Sequence, residues 1–286
     1  MSDALDAEIV AAFDRLELRP RRWRRIATLP PGYGRSVFRV ELDNGVLVKA
    51  RRMEDATAAL CLQEMRAAAP PGYAPILHRH AEVLIERWID GEELAQRGAT
   101  VEELIAAAAL LAQLHRVEHA SGQALPTMRD TAPEREAADG ALTSLEIDGA
   151  LRPAERDATS SALAQLDPGR MLCGLVHTDF CGENIVVDAS GRLHAIDNER
   201  MGVGPFGLDV ARTWYRWRLS DADWEHFRAS YQERMTHDDA LRHFAFWALV
   251  ATLKGSLLLS RLNPARAHVA LERLRQAIAN VETLER

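Results

Sequence analysis

The sequence predicts an α+β chain of two lobes, a small antiparallel sheet over about residues 1–90 and a larger, mostly helical part over 91–286. Three observations carry this. Apolar alternation flanks the turn Asp43-Asn44-Gly45, and an Asn-Gly turn between alternating runs is a strong hairpin signal. Beyond Asp90-Gly91 the pattern changes to Ala- and Leu-rich segments with helical spacing. Within that helical part, short strand-like runs at 173–178, 184–188 and 192–197 follow one another closely.

Each element follows in order. Residues 23–30 read as a strand, then a glycine turn at Pro31-Gly32-Tyr33-Gly34 leads into a strand at 36–42 and another at 46–52. A helix fits 55–68 and is stopped by Pro70-Pro71-Gly72. Two further strands fit 76–78 and 82–88, with a hinge near 86–91. Thr100 and Glu103 form a capping box at the start of the next helix. The polar stretch 121–170 reads as helices with loops, and the chain from Val210 onward reads as helical.

The bulk numbers exclude several classes. A net charge of −7 argues against a general nucleic-acid binder. The first twenty residues lack the basic-then-apolar order of a secretory signal. The apolar run 244–253, closed by Lys254 and Gly255, is too short to span a bilayer and is read as a buried helix. Cys61, Cys173 and Cys181 are odd in number and form no C-x-x-C, which fits a reducing cytoplasm better than a disulfide framework or zinc site. The basic cluster at 19–25 lies on the first strand and is read as a solvated face.

The strongest chemical signal is H-x-D-x-x-x-x-N at His177, Asp179 and Asn184, set between two strand-like runs. Asp179 would take or orient a hydroxyl proton, and Asn184 would offer its amide oxygen to a metal ion. Thirteen residues on, a strand ends in Asp197-Asn198-Glu199. A carboxylate there can hold Mg²⁺ against phosphates, because a hard cation takes oxygen ligands. Gly32 and Gly34 would let backbone N–H groups approach phosphates. The chain has two lysines, Lys49 and Lys254, against many arginines. Lys49 ends V-L-V-K and would place a compact charge at those phosphates, with Glu64 in the following helix able to pair with it.

In this order the motifs resemble those of the aminoglycoside phosphotransferase and choline kinase group, distant relatives of protein kinases. The likeness runs from Gly32 to Asp209. G-x-G-R-S-V-F-R-V, with Gly32, Gly34 and Ser36, resembles the nucleotide loop, and V-L-V-K the phosphate-binding lysine. L-I-E-R-W-I-D-G-E-E-L resembles the strand and hinge that hold adenine, and A-Q-L-H, ending at His115, a helix of the family. H-T-D-F-C-G-E-N resembles the catalytic loop, I-D-N-E the metal motif, and G-L-D-V-A, with Asp209, the segment that braces the loop.

The resemblance implies a protein kinase-like fold and an ATP- and Mg²⁺-dependent phosphotransferase acting on a small-molecule hydroxyl acceptor. It implies Asp179 as base, and Asn184 and Asp197 as metal ligands. Lys49 would meet the phosphates, Glu64 would orient Lys49, and backbone groups of Glu86 and Trp88 would face adenine. His177 and Asp209 would support the loop, and His115 would be a packing histidine. The sequence departs from the family in placing Asn198 between two acids where an aromatic is usual, and in lacking a Ser-Asn pair in the glycine loop.

No Walker A run occurs, and Asp209 follows Asp197 too soon for a protein kinase activation segment. The expected partner is therefore a small molecule, with no nucleic acid and no membrane span, for a monomer or homodimer in the cytoplasm. The signals for the acceptor disagree. From residue 95 onward 27 acidic residues face 21 basic ones, which suits a polycation, while Arg200, Arg212, Arg216 and Arg218 suit an anion. Trp214, Tyr215, Trp217 and Trp224 read either as an aromatic wall or as helix packing. The reading from another class is a nucleotide-binding pseudokinase serving as a scaffold, disfavoured because the base, lysine and metal ligands are all present.

Overall fold

The computed structural model describes residues 4–26, 37–235, 239–262 and 264–279. The small lobe holds helix α1 (Ala7–Arg15), strands β1 (Pro20–Arg25), β2 (Val37–Leu42) and β3 (Leu47–Arg52), helix α2 (Ala56–Ala68), and strands β4 (Ile76–His80) and β5 (Val83–Arg87). The strands form one antiparallel sheet in the order β1-β2-β3-β5-β4. The predicted Asn-Gly turn joins β2 to β3. Gly45 takes φ 79° there, a value glycine adopts at no steric cost, and Asn44 Oδ1 accepts from the Val46 N–H at 3.0 Å.

The period-2 alternation gives the sheet two unlike faces. Phe38, Val40, Val48, Ala50, Val83 and Ile85 bury one face under Ile9, Ala12 and Phe13 of α1. Arg39, Lys49, Arg51 and Glu86 point the other way, as their register pairing requires. The sequence reading contained no α1, yet that helix covers the outer face of the sheet. Strand β1 is a sheet edge whose residues from Arg21 to Arg25 are exposed, a charged edge of the kind that resists strand pairing.

The larger lobe follows in chain order. Strand β6 (Glu92–Glu93), α3 (Leu94–Arg97) and α4 (Val101–His115) come first, then β7 (His119–Ala120), β8 (Gln123–Ala124), β9 (Thr127–Asp130), α5 (Ala132–Ile147) and α6 (Pro153–Leu166). Next are β10 (Arg170–Val176), a 3-10 turn (Gly182–Asn184), β11 (Ile185–Val187), β12 (Leu193–Ala195) and β13 (Gly202–Pro205). Helices α7 (Phe206–Trp217), α8 (Asp221–Arg234), α9 (Asp239–Arg242), α10 (Phe244–Leu262) and α11 (Pro264–Ala279) complete it. This is the two-lobed, kinase-like architecture that the motifs implied.

The expected capping box closes the start of α4: the Glu103 N–H donates to Thr100 Oγ1 at 3.3 Å and the Thr100 N–H to Glu103 Oε2 at 2.9 Å. Helix α10 runs past Lys254 and Gly255, where the apolar run was expected to close, and reaches Leu262. Lys254 is accommodated by an ion pair with Glu134 of α5, and Gly255 lies against the Tyr215 ring. By length and composition α10 could cross a membrane, but ten consecutive residues from Phe244 to Leu253 are buried in the protein core. The strands β9 and β13, which flank β10, were not expected from the sequence.

Two contacts join the lobes beside the chemistry. The Ala195 N–H of β12 donates to Gly72 O at 2.7 Å, and Tyr73 bridges Ala195 in parallel register. Gly91, in the connection between lobes, leaves no room for a Cβ, which would lie 2.1 Å from Val187 O of β11.

Candidate active site

The inner face of the small sheet carries a row of charges. Lys49 and Glu86 stand opposite each other on β3 and β5, and Arg51 follows Lys49 on the same face because side chains alternate along a strand. Arg51 is 3% exposed and meets three carboxylates. Its Nη1 donates to Glu199 Oε2 at 2.7 Å, its Nη2 to Asp197 Oδ1 at 3.4 Å, and its Nε lies 2.6 Å from Glu86 Oε1. That last pair meets side-on, short of a formed hydrogen bond. Burial works against the Arg51 charge, but Glu86, Glu199 and Asp197 outweigh it and hold the guanidinium above its ordinary pKa.

Lys49 Nζ pairs with Asp197 Oδ1 across the cleft. Burial alone would raise the Asp197 carboxyl, but Lys49 and Arg51 overcome it and hold the group well below the ordinary carboxylate range. Asp197 itself sits at φ 59°, a left-handed conformation that aspartate tolerates better than most residues.

The loop after β10 is fixed from beneath. Asp209, near the start of α7, is buried; its Oδ2 accepts from the His177 N–H at 2.8 Å and its Oδ1 from the Thr178 N–H at 2.7 Å. His115 of α4 meets Asp209 Oδ2 through Nε2 at 3.1 Å and the Tyr231 hydroxyl through Nδ1 at 2.6 Å. The packing role read for His115 is thus a bridge between α4, α7 and α8. Burial lowers the His177 pKa, so that ring is neutral beneath the loop, where its Nδ1 accepts from the Asp179 N–H at 3.2 Å. Gly182 allows the loop to pass Trp217, whose Nε1 lies 2.6 Å from where a Cβ would be.

Asp209 carries a pH consequence. Burial pushes its carboxyl up, but its hydrogen bond with His115 leads the contacts that outweigh this and leave it below its ordinary value of 3.8. A depressed carboxyl stabilises the fold fully above its unfolded pKa, and that stabilisation is lost as pH falls through the folded value. The urea midpoint of the parent is expected to fall steeply below about pH 4. That of Asp209→Asn should be lower at pH 7 and depend less on acid. Parallel acid curves would contradict the assignment.

On top of the loop, Asn184 Nδ2 donates to the Asp179 backbone carbonyl at 2.8 Å and approaches its Oδ2 at 3.3 Å. Arg216 Nε lies 3.3 Å from Asp179 Oδ1, and its Nη2 donates to Glu183 Oε2 at 3.0 Å. Burial first, and Asp179 second, push the Cys181 thiol up to about 11, so it is no nucleophile at neutral pH.

The donor set fits a hard divalent cation. Asn184 commits its N–H to Asp179, and no described group donates to its side-chain oxygen. Lys49 and Arg51 both meet Oδ1 of Asp197, and the Glu199 carboxyl lies against the same group. The Ile196 N–H donates to Asn184 O at 2.9 Å, so the two loops run side by side. No group of three His, Cys, Asp or Glu side chains among the described residues could hold a metal alone. Two protein oxygens completed by phosphates and water is the pattern Mg²⁺ favours.

Of the residues singled out in the sequence, Lys49, Asp197, Asn184 and Asp179 are gathered along one cleft. Gly32, Gly34 and Ser36 lie outside the described residues. The expected Lys49–Glu64 pair does not form. Glu64 is on the exposed side of α2 and accepts from Ser121 Oγ at 2.6 Å, while the buried face of that helix presents Arg66 instead. Glu86 stands in register between Lys49 and Ile76, so its backbone is inside the sheet, and its buried carboxylate serves Arg51. The Trp88 N–H donates to Leu47 O at 3.2 Å, and its ring lies under Arg39 at 5.1 Å. The residue that sequence reasoning missed is Arg51. Its signal was the same-face spacing from Lys49 within a strand.

The chain matches the model of a phosphotransferase enzyme family over residues 25–247. Among solved structures it is similar to the choline kinase of Cryptosporidium parvum, with a TM-score of 0.65 at 12% identity, covering 98% of this chain and 95% of that one. It is also similar to macrolide 2'-phosphotransferase MphH of Brachybacterium faecium, at 0.64 and 20% identity, covering 94% and 98%. Choline kinase LicA of Streptococcus pneumoniae gives 0.63 at 13% identity, covering 96% and 98%, and a LicA complex with AMP is similar too. No curated protein sequence matches the chain significantly.

Proposed function

The chain belongs to the phosphotransferase enzyme family, and from that premise we propose that it moves the γ-phosphate of ATP, in the presence of Mg²⁺, onto a hydroxyl of a small molecule. The observation that carries this reading is the meeting of Lys49 and Arg51 from the small lobe with Asp197 from the larger lobe, beside Asp179 and Asn184. Cations from one side and carboxylates from the other suit a nucleotide triphosphate and its metal.

The protein's own groups divide the work. Lys49 neutralises phosphate charge, and Arg51 holds Asp197 and Glu199 in place for it. Asn184 and Asp197 would hold Mg²⁺, which when bound screens the β- and γ-phosphate oxygens. Asp179 orients the acceptor hydroxyl and receives its proton as the new P–O bond forms, while the bond to the β-phosphate breaks and ADP leaves. In such a transfer positioning and charge neutralisation supply most of the rate.

The test is ADP release on a panel of hydroxyl compounds, with and without EDTA, alongside calorimetric titration of Mg²⁺ and a non-hydrolysable ATP analogue. Nucleotide binding that weakens in Lys49→Ala, with metal-dependent turnover on a panel member, is the expected result. Absence of nucleotide binding would sink the reading.

A further inference from the structure

Beside the loop of Asp179 lies a cavity of about 750 Å³, a size that suits a small organic ligand. Arg200, Arg212, Arg216, Arg218 and Lys254 reach its wall, against Glu183 as the acidic lining residue. Two of the five cations are already matched: Lys254 by Glu134, and Arg216 by Asp179 and Glu183. The guanidinium groups of Arg200, Arg212 and Arg218 have no hydrogen bond or ion pair among the described residues. Arg200 and Arg212 also line an adjoining cavity of about 440 Å³ that reaches Thr178 and Asp209.

Like charges gathered without matching carboxylates are costly. Arg212 is half-buried, and burial lowers its pKa; Asp179 and Asp209 oppose this, and the neighbouring Arg200 and Arg216 charges add a smaller repulsion. A bound anion would relieve that repulsion and accept charge-assisted hydrogen bonds. The rest of the wall is apolar or aromatic, with Tyr215, Trp217 and Leu258. Of the aromatics on this face, Trp214 and Trp224 pack on Phe244 in the core, whereas Trp217 and Tyr215 reach the cavity.

We propose that the phosphate acceptor is an anionic hydroxyl compound, carrying a carboxylate or phosphate ester that Arg200, Arg212 and Arg218 grip while its hydroxyl lies at Asp179. This rests on the phosphotransferase reading and names the class of substrate for it. The transfer balances as before: the acceptor oxygen bonds to the γ-phosphorus, its proton passes to Asp179, and ADP departs. The cavity charge disfavours polycationic and quaternary-amine acceptors, even though the chain as a whole carries −7.

The experiment is equilibrium binding to the full chain, without nucleotide, of matched sets of hydroxyl compounds. Hydroxy acids and sugar phosphates form the anionic arms, neutral sugars and alcohols the control, and aminoglycosides and amino alcohols the cationic arm. An anionic compound should bind saturably, more weakly as salt rises. Its Kd should rise about tenfold or more in Arg212→Gln, as expected for losing a charge-assisted bond. Arg200→Gln, at an exposed side chain, should raise it in the same direction, and Arg212→Lys should recover part of the loss. Which anionic arm binds tells carboxylate from phosphate. Preference for the cationic or neutral arm, no anion bound at millimolar concentration, or an anion indifferent to both glutamine variants would each overturn the proposal. Nucleotide binding is titrated separately, so a failure there counts against phosphoryl transfer and not against the anion site.

Discussion

Asp179→Asn is expected to lower kcat by on the order of 10²–10⁴-fold, the usual contribution of a positioned general base. Affinity for the Mg²⁺–nucleotide pair should stay close to that of the parent. The reason is the division of contacts. Asp179 is held by Asn184 and Arg216, whereas Lys49 and Arg51, the cations of the small lobe, contact Asp197 and Glu199. Asparagine keeps the shape and the side-chain oxygen but cannot take a proton at neutral pH. Steady-state kinetics and calorimetry on the same preparation separate the two effects. Parent-like kcat in the variant would remove Asp179 from the chemistry.

Arg51→Met should cost about 3–5 kcal/mol of stability, because removing one partner of a buried ion pair strands the other. Glu86 is buried and would lose its close cation. Against a total of about 5–15 kcal/mol for a typical domain, that loss should displace the urea midpoint sharply. The double variant Arg51→Met/Glu86→Leu separates structure from function. Replacing the buried pair by apolar groups should restore most of the stability. Nucleotide affinity should stay low, because Asp197 and Glu199 would still lack their common holder. An unchanged midpoint in Arg51→Met would show that these contacts carry no weight.

Local rules made much of this legible beforehand. The Asn44-Gly45 hairpin, the Thr100–Glu103 cap and the spacing of His177, Asp179 and Asn184 each depend on residues close in sequence. What escaped was set by tertiary pairing. A carboxylate fifteen residues after Lys49 is a plausible partner in one dimension, but the rotation of α2 turns Glu64 outward and Arg66 inward. The partner of Lys49 comes instead from a residue 148 positions away. Arg51 drew no reading from the sequence, and only the burial of that sheet face, with Glu199 and Asp197 arriving from the other lobe, gives it a role. Likewise four arginines spread over 200–218 become one field only when α7 and the loop before it line the same cavity.

Both lysines of this chain are engaged in ion pairs, Lys49 at the cleft and Lys254 on the cavity wall. The arginine-rich surface is therefore nearly blank to reagents that acylate primary amines, apart from the α-amino group. Such a reagent would act as a two-position footprint, its yield at Lys49 following the occupancy of the proposed nucleotide cleft and its yield at Lys254 that of the neighbouring cavity. A protein with many surface lysines would bury both signals in background; here each can be counted from a single peptide.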